Sequence, residues 1–299
     1  MARISYSRQP ISEVMILIDY NGIAISNVVT QKLAIDENLI RHMILNSIRL
    51  HRRKFKKQYG EVVICCDGMK NWRLDVFPQY KHKRRSDRKE SDIDWSEVFR
   101  ITNLVRQELK ENFPYKVVEV EECEADDIIA HLALRTQEFG QYENVMIVSG
   151  DKDFAQLQVH KNIQQYSPVQ NKFIKEDNPK SQLLNLVLKG DPSDGVPNVL
   201  SDDNVFVEAR RQTPLRQKMI DEITNKLTSG ADPVSEEWWR NLNRNRRLID
   251  LSCTPSNIVE KIIHNYDNQD QWSNKGKVLP FLIQKKCKLL IQDVQDFIS

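Results

Sequence analysis

Acidic residues follow four short apolar runs in this chain. Residues 14–18 lead into Asp19, residues 62–66 into Asp67, and residues 145–148 into Asp151 and Asp153. Residues 116–120 lead to Glu124, Asp126 and Asp127, and one more acidic pair, Asp191 and Asp194, follows downstream. Carboxylates gathered into one crevice repel and cannot all stay ionised. A hard divalent cation resolves that conflict, because magnesium and manganese take oxygen ligands and keep several waters for chemistry. The chemistry this pattern points to is metal-dependent phosphoryl transfer. Capping of a helix N-terminus explains one of Asp126 and Asp127, since the helix dipole favours acids there, but not Glu124 and both aspartates together.

The elements that must position these groups follow from the same runs. Short Val/Ile-rich runs without alternation read as strands buried on both faces, as in parallel sheets, whose ligand sites lie beyond the carboxyl ends of the strands. Between them lie helical patterns: one beginning near Asp36 with Leu39, Ile40, Met43, Ile44 and Ile48 on its apolar side, one over residues 96–113 stopped by Pro114, and one over residues 125–139 with Gly140 as its C-terminal cap. Residues 163–166 read as a fifth strand, followed by a polar stretch around residues 172–180. The expected fold is α/β, with a central mostly parallel sheet and helices on both faces over residues 1–180. A smaller helical domain follows over residues 181–299, where Pro214, Pro233, Pro255 and Pro280 punctuate a polar, helix-like sequence.

Composition narrows the class. A chain of 299 residues with 40% hydrophobic content can build a sizeable core. No apolar stretch approaches the ~20 residues that span a bilayer, and Arg3 and Arg8 precede no secretory-type apolar run. Five cysteines without C-x-x-C spacing suit reduced thiols in a cytoplasm, with Cys65 and Cys66 as packing residues in a strand. The balance of 44 basic against 42 acidic residues says little, but the basic residues come in blocks. Arg49, Arg52, Arg53, Lys54, Lys56 and Lys57 end the helix from Asp36, where a solvated, dipole-favoured end is the plain explanation. A second block spans about residues 70–93, where Lys70, Arg73, Lys81, Lys83, Arg84, Arg85, Arg88 and Lys89 are interleaved with Trp72, Phe77, Tyr80 and His82. It has no period long enough for a core element and reads as an excursion from the domain, rising beside Asp67. Such a segment suits a nucleic acid, whose phosphates pair with Lys/Arg and whose bases stack on rings. Arg240, Arg244, Arg246 and Arg247, and Lys285, Lys286 and Lys288, read as solvated faces, and Trp238 and Trp239 as packing.

Read together, Leu17-Ile18-Asp19, Cys65-Cys66-Asp67, Glu124-Ala125-Asp126-Asp127, Ser149-Gly150-Asp151-Lys152-Asp153 and Lys189-Gly190-Asp191 through Asp194 resemble the successive acidic motifs of the 5′ nuclease (flap endonuclease) superfamily. The resemblance covers the chain and rests on the order and spacing of the motifs jointly. It implies 5′ to 3′ exonuclease and flap endonuclease action, with ribonuclease H activity, removing RNA primers and adjacent DNA with two Mg2+ ions, for which Mn2+ substitutes. It also implies that Asp19, Asp67, Asp126 and Asp151 hold the first ion, that Glu124, Asp153, Asp191 and Asp194 serve the second, and that Asp127 belongs to the metal set as nearby support. Lys81, Arg84 and Arg73 would grip the scissile phosphate, and Tyr80 would stack on a base. The partners implied are branched or nicked duplex DNA and RNA–DNA hybrid with a free 5′ end, a single-strand DNA-binding protein and a sliding clamp, met by a monomer with no membrane. One departure is the stretch Val196-Pro197-Asn198-Val199-Leu200-Ser201-Asp202-Asp203, which lacks the glycine-rich hairpin of many relatives and puts a potassium site there in doubt.

Two other enzyme classes and one binding protein compete. A PIN-type endoribonuclease gathers similar carboxylates but needs neither the second domain nor the basic excursion. A haloacid-dehalogenase-type phosphatase requires Asp-x-Asp after its first strand, where Tyr20 and Asn21 follow Asp19 here. A catalytically inactive DNA-binding clamp would show a gap in the acidic set, and none is found.

Overall fold

The computed structural model describes residues 14–31, 35–138, 142–229 and 236–299. Arg3, Arg8, Phe139, Gly140 and Pro233 lie outside the described residues. The sheet-forming half runs β1 Met15–Asp19, α1 Tyr20–Gln31, α2 Glu37–Tyr59, β2 Glu61–Cys66, α3 Arg73–Val76, α4 His82–Glu90, α5 Trp95–Asn112, β3 Lys116–Glu119, α6 Ala125–Arg135, β4 Val145–Val148, β5 Ile163–Ser167 and β6 Lys172–Ile174. The rest is helical: α7 Pro179–Lys189, α8 Gln217–Ser229, α9 Glu236–Ile249, α10 Ser256–Asp267, α11 Val278–Gln284, α12 Lys288–Ile291 and α13 Gln295–Ile298. The strand order is β3-β2-β1-β4-β5-β6, parallel except for β6. The chain moves outward from β1 to β3, then returns to lay β4 on the other side of β1. That reversal opens a crevice between the carboxyl ends of β1 and β4, the place where ligands bind in such sheets.

Alternate strand residues feed two apolar layers, as the period of a strand requires. Ile16, Ile18, Val62, Ile64, Met146 and Val148 face one, with α2 and α5. Met15, Leu17, Val63, Cys65, Val145 and Ile147 face the other, with α6 and α10. Both Cys65 and Cys66 are fully buried, as packing requires. The α2 helix begins as expected, with the Asp36 carboxylate accepting from the Leu39 N–H at 2.7 Å.

Four readings need correction. The stretch around Lys172 is a short antiparallel edge strand, β6, paired with β5 through Tyr166 and Phe173; its three residues were too few to show a period. The basic block is not a free excursion: Trp72, Arg73, Phe77 and Tyr80 are buried, and only from His82 does an exposed helix, α4, leave the core. Arg49 and Arg52 are not a solvated helix end. The Arg49 guanidinium pairs with Asp293 at 2.7 Å and Asp296 at 2.9 Å, and Arg52 donates to the Asp296 and Ser299 carbonyls. Arg244 is likewise buried rather than solvated.

The core also crosses residue 180. Phe77 and Tyr80 join α7, α8 and α9 in a third apolar cluster. Leu251, Ile258 and Ile262 pack on the α6 side of the sheet, while Val278, Phe281, Leu282, Leu290 and Phe297 cover the α2 side.

Candidate active site

The carboxylates meet at the β1/β4 crevice. Asp19 closes β1, where it accepts from the Gly22 N–H at 2.8 Å and the Ser149 hydroxyl at 2.9 Å. A Cβ at Gly22 would stand 2.4 Å from the Asp19 Oδ2, so the turn into α1 can pass this closely only with glycine. Asp67 follows β2 and accepts from the Asn21 amide at 2.5 Å and the Ala125 N–H at 2.8 Å. Glu124 caps α6 and Asp126 stands in its first turn. Asp151, after β4, accepts from the Asp153 N–H at 2.9 Å. Its loop is tied to β5 by the Gln165 amide, which donates to the Ser149 carbonyl at 3.0 Å and the Asp151 carbonyl at 2.6 Å.

Their electrostatics are those of crowded acids. Burial, reinforced by Asp67 and Asp151, raises the Asp19 carboxyl to about 6. Burial and then Asp151 hold Asp126 well above the ordinary carboxylate value. Burial, Asp151 and Asp191 push Asp153 to about 7, and its Oδ1 has no hydrogen-bond partner. Among the described residues no three His, Cys, Asp or Glu side chains are set to enclose one ion directly. The carboxylates are nonetheless near enough for Asp67 and Asp151 to raise Asp19 and for Asp151 and Asp19 to raise Asp126.

Cations border the second half of this set. The Lys81 ammonium pairs with Glu124 and stands 3.7 Å from Asp194, and the Arg84 guanidinium reaches Asp194 at 2.6 Å. Lys152, quoted in the motif but given no role by the sequence, holds Asp191 at 3.0 Å. Burial opposes ionisation of Glu124, but Lys81 and Arg73 outweigh it and keep its carboxyl below the ordinary range. For Asp194 burial wins over Lys81 and Arg84, and the carboxyl is raised. Lys81 has a left-handed backbone, φ 55°, and its N–H donates to the Asp194 carbonyl at 2.7 Å. The root of α4 is thereby clipped to the Asp191–Asp194 turn.

Three expected site residues have other work. Arg73 is buried, its guanidinium forked on Asp127 at 2.8 and 2.9 Å with Nε donating to the Leu248 carbonyl, so it cannot grip a phosphate. Asp127 is fully buried and spends both oxygens on Arg73, the Thr254 hydroxyl, the Trp72 indole and the Glu124 N–H; it is no metal ligand but the brace of the helix end that presents Glu124 and Asp126. Tyr80 is buried, with its hydroxyl 3.0 Å from both Glu124 and Asp194, and has no face for a base. Ser149 and Asn21, which lie beside the acids in the sequence, and Gln165 and Thr254, which do not, orient the acids or their brace without a signal of their own in the sequence.

The turn after Asp194 is tied from within. Arg244 donates to the Pro197 carbonyl at 3.0 Å and pairs with Asp203, Asn245 donates to the Val187 and Pro197 carbonyls at 2.8 Å, and Asn241 to Val199 at 3.0 Å. A buried guanidinium thus stands where the turn's carbonyls converge.

Carboxylates at the switch point of a parallel sheet, rimmed by lysine and arginine at the root of a basic helix, define a nuclease among the hydrolases. The chain belongs to the 5′–3′ exonuclease family: residues 16–183 match the family of the 5′-3′ exonuclease N-terminal resolvase-like domain, and residues 178–297 that of the T4 RNase H C-terminal region. It is 31% identical to the ribonuclease H of Enterobacteria phage T4 over 293 residues, covering 94% of this chain and 95% of that one. A 5′-3′ exonuclease of Buchnera aphidicola is 30% identical over 146 residues, 46% of this chain and 47% of its own. In fold, the chain is similar to the bacteriophage T5 D15 flap endonuclease in a complex with DNA and metal ions, with TM-score 0.59 at 15% identity, covering 85% of this chain and 99% of that one. The T5 D15 protein co-crystallised with metal ions aligns with TM-score 0.58, also at 15% identity, over 84% and 97% of the two chains. The family expected from the acidic motifs is the family found.

Proposed function

We propose that the chain is a magnesium-dependent 5′ nuclease that works as a monomer on branched or nicked duplex DNA and on RNA–DNA hybrid with a free 5′ end, removing primers and adjacent DNA at lagging-strand intermediates. The observation that carries this reading is the convergence of Asp19, Asp67, Asp126 and Asp151 on one crevice with Lys81 and Arg84 at its rim. The donors are all carboxylate oxygens, which favours magnesium, with manganese as a substitute, over softer metals. The unpartnered Asp153 Oδ1 and the raised Asp19 and Asp126 carboxyls fit a bound cation, which would relieve both. Asp19, Asp67, Asp126 and Asp151 would hold one ion, and Glu124, Asp153, Asp191 and Asp194 would serve a second.

Bound there, divalent ions supply charge neutralisation and a hydrolytic water at neutral pH. The chain's own residues supply the rest. Lys81 and Arg84 can exchange their carboxylate partners for the scissile phosphate and its growing charge. Ser149 and Asn21 fix Asp19 and Asp67, and the Arg73–Asp127 pair holds the end of α6. The relationship to a ribonuclease H and the likeness to a flap endonuclease solved with DNA support the choice of substrate.

The test is cleavage of a 5′-labelled flap with magnesium and with chelator. Asp126→Asn should cut at least about a hundredfold more slowly, ~2.7 kcal/mol of barrier, and bind the flap as tightly as the parent, since losing a negative charge does not weaken a phosphate contact. Retention of a tenth of the parent rate, or cutting undiminished by chelator, overturns the reading.

A further inference from the structure

A second cleft lies on the α2 face of the sheet, where its lining residues Ile23 and Tyr166 belong to the apolar layer. It lies between α1, the second half of α2 and the β5–β6 hairpin, with a volume of about 650 Å3, in the range of small-ligand sites. Its floor is Tyr166, which is buried and hydrogen-bonded to Asn171. Leu50, Pro168 and the exposed Val169 form apolar walls. Its charges are of one sign: Arg53 and Lys54 line it, and no acidic residue does. Lys54 has no carboxylate partner among the described residues and stands over the Tyr166 ring at 3.7 Å, while the contact of Arg53 with Asp296 is a long one at 3.5 Å. In a chain whose formal charges nearly cancel, an all-basic cleft is a local choice. His51 adds an acceptor. Its Nδ1 is 2.7 Å from the Ser47 carbonyl, to which it must donate, so the neutral ring keeps Nε2 bare; burial and Lys54 hold the imidazole below its ordinary value and hence neutral.

Two of the cleft's lining residues are close neighbours along the chain of residues that hold the carboxylates. Ile23, on its wall, follows directly after the Gly22 that holds Asp19. Tyr166 precedes Ser167, whose hydroxyl lies against Gly150, the residue before Asp151. Ile23 and Tyr166 thus bring the cleft's walls within a few residues of Asp19 and Asp151, so that a strand crossing those acids from the Lys81 and Arg84 side can continue into it. We infer that this cleft is a subsite for one nucleotide of the substrate strand beyond the scissile bond: Lys54 and Arg53 take its phosphate, the apolar walls its base, and His51 Nε2 a hydroxyl or amino group. The inference rests on the nuclease reading and adds to it a second contact point on the far side of the chemistry.

The test uses the full chain carrying Asp126→Asn, so that substrate stays uncut, with two series of oligonucleotides: one ending at the scissile bond on the cleft side, one continuing three nucleotides past it. The longer series should bind at least tenfold more tightly, and Lys54→Glu should erase that difference without weakening the shorter series. A 2-aminopurine moved along the extension should change its emission at one position, and Lys54→Glu or the milder Lys54→Gln should abolish the change. In the chain with Asp126 intact, Lys54→Glu should raise the KM for extended substrate and leave the saturated rate alone. Lys54 is exposed and meets only the Phe55 and Tyr166 ring faces, so these variants should keep the fold, which an unchanged melting temperature checks. Equal binding of both series, or Lys54→Glu and Arg53→Glu variants that bind the extension as the parent does, overturns the subsite while leaving the nuclease reading intact. A parent that leaves the extended series uncut in magnesium overturns the nuclease reading and this one with it.

Discussion

Asp19 and Asp153 carry a cost that the fold accepts at neutral pH. Each is raised above the ordinary value near 3.8, to about 6 and about 7, by burial and by neighbouring acids. The folded chain therefore binds more protons than the unfolded chain between pH 4 and 7, and its stability must fall as pH rises through that window. With chelator present, the melting temperature should drop between pH 5 and 7.5, and Asp153→Asn should flatten the profile. A melting temperature rising over the same range contradicts the assignment. At the same scale, Lys81 and Lys89 should separate chemistry from grip. Lys81→Ala should lower the saturated cleavage rate tenfold or more, whereas Lys89→Ala, on the exposed outer part of α4, should change the concentration of DNA required; a rate loss at saturation is the sign of a transition-state contact. Asp19, Asp67, Glu124, Asp126, Asp151 and Asp153 were legible in the sequence because they stand at or within a few residues of the ends of β1 to β4. Arg73 and Tyr80 were misread because their partners, Asp127, Leu248 and Asp194, lie 54 to 175 positions away.

Among the elements, the start of α6 depends on a buried ion pair. Removing one member of such a pair leaves the other charge without compensation, at about 3–5 kcal/mol. Arg73→Ala should therefore lower the urea midpoint strongly, and the surviving fold should bind metal less well because Glu124 and Asp126 lose their brace; Thr254→Val, which removes one hydrogen bond to Asp127, should cost about 1–3 kcal/mol. Variants as stable as the parent would demote the pair to a bystander. The parallel strands and α2 were readable from unbroken Val/Ile runs and from the Asp36 cap. What was not readable was α4, whose nine residues contain no apolar face at all. Its helix is held by its root, through the clip of Lys81 on Asp194 and the Arg88 guanidinium over Trp95 and Phe99.

On the scale of the whole molecule, two basic regions flank one acidic crevice, and affinity for DNA should be governed by counterion release. Log affinity against log salt should fall with a slope of about −4 or steeper, each duplex phosphate adding roughly 0.9. A slope shallower than about −1 would leave no role for α4 and the cleft beside α2 as phosphate contacts. The division at residue 180, drawn from composition, is crossed by all three apolar clusters. Composition could not show that residues 251–298 turn back onto both faces of the sheet, since amphipathic helices carry no mark of what they cover.

That return has a consequence for how the chain is made. The α2 face of the sheet receives Val278, Phe281, Leu282, Leu290 and Phe297 only after every strand has left the ribosome, and Arg49 and Arg52 wait for Asp293 and Asp296. At ~5–20 residues per second the nascent sheet, covered on this face by α2 and α5 alone, waits for the rest of its apolar cover for on the order of ten seconds. During that time it is a client for whatever shields hydrophobic surface in the cell, and its acidic crevice is already complete in sequence but held by a scaffold not yet closed. Synthesis thus delays the finished nuclease until its last helices dock.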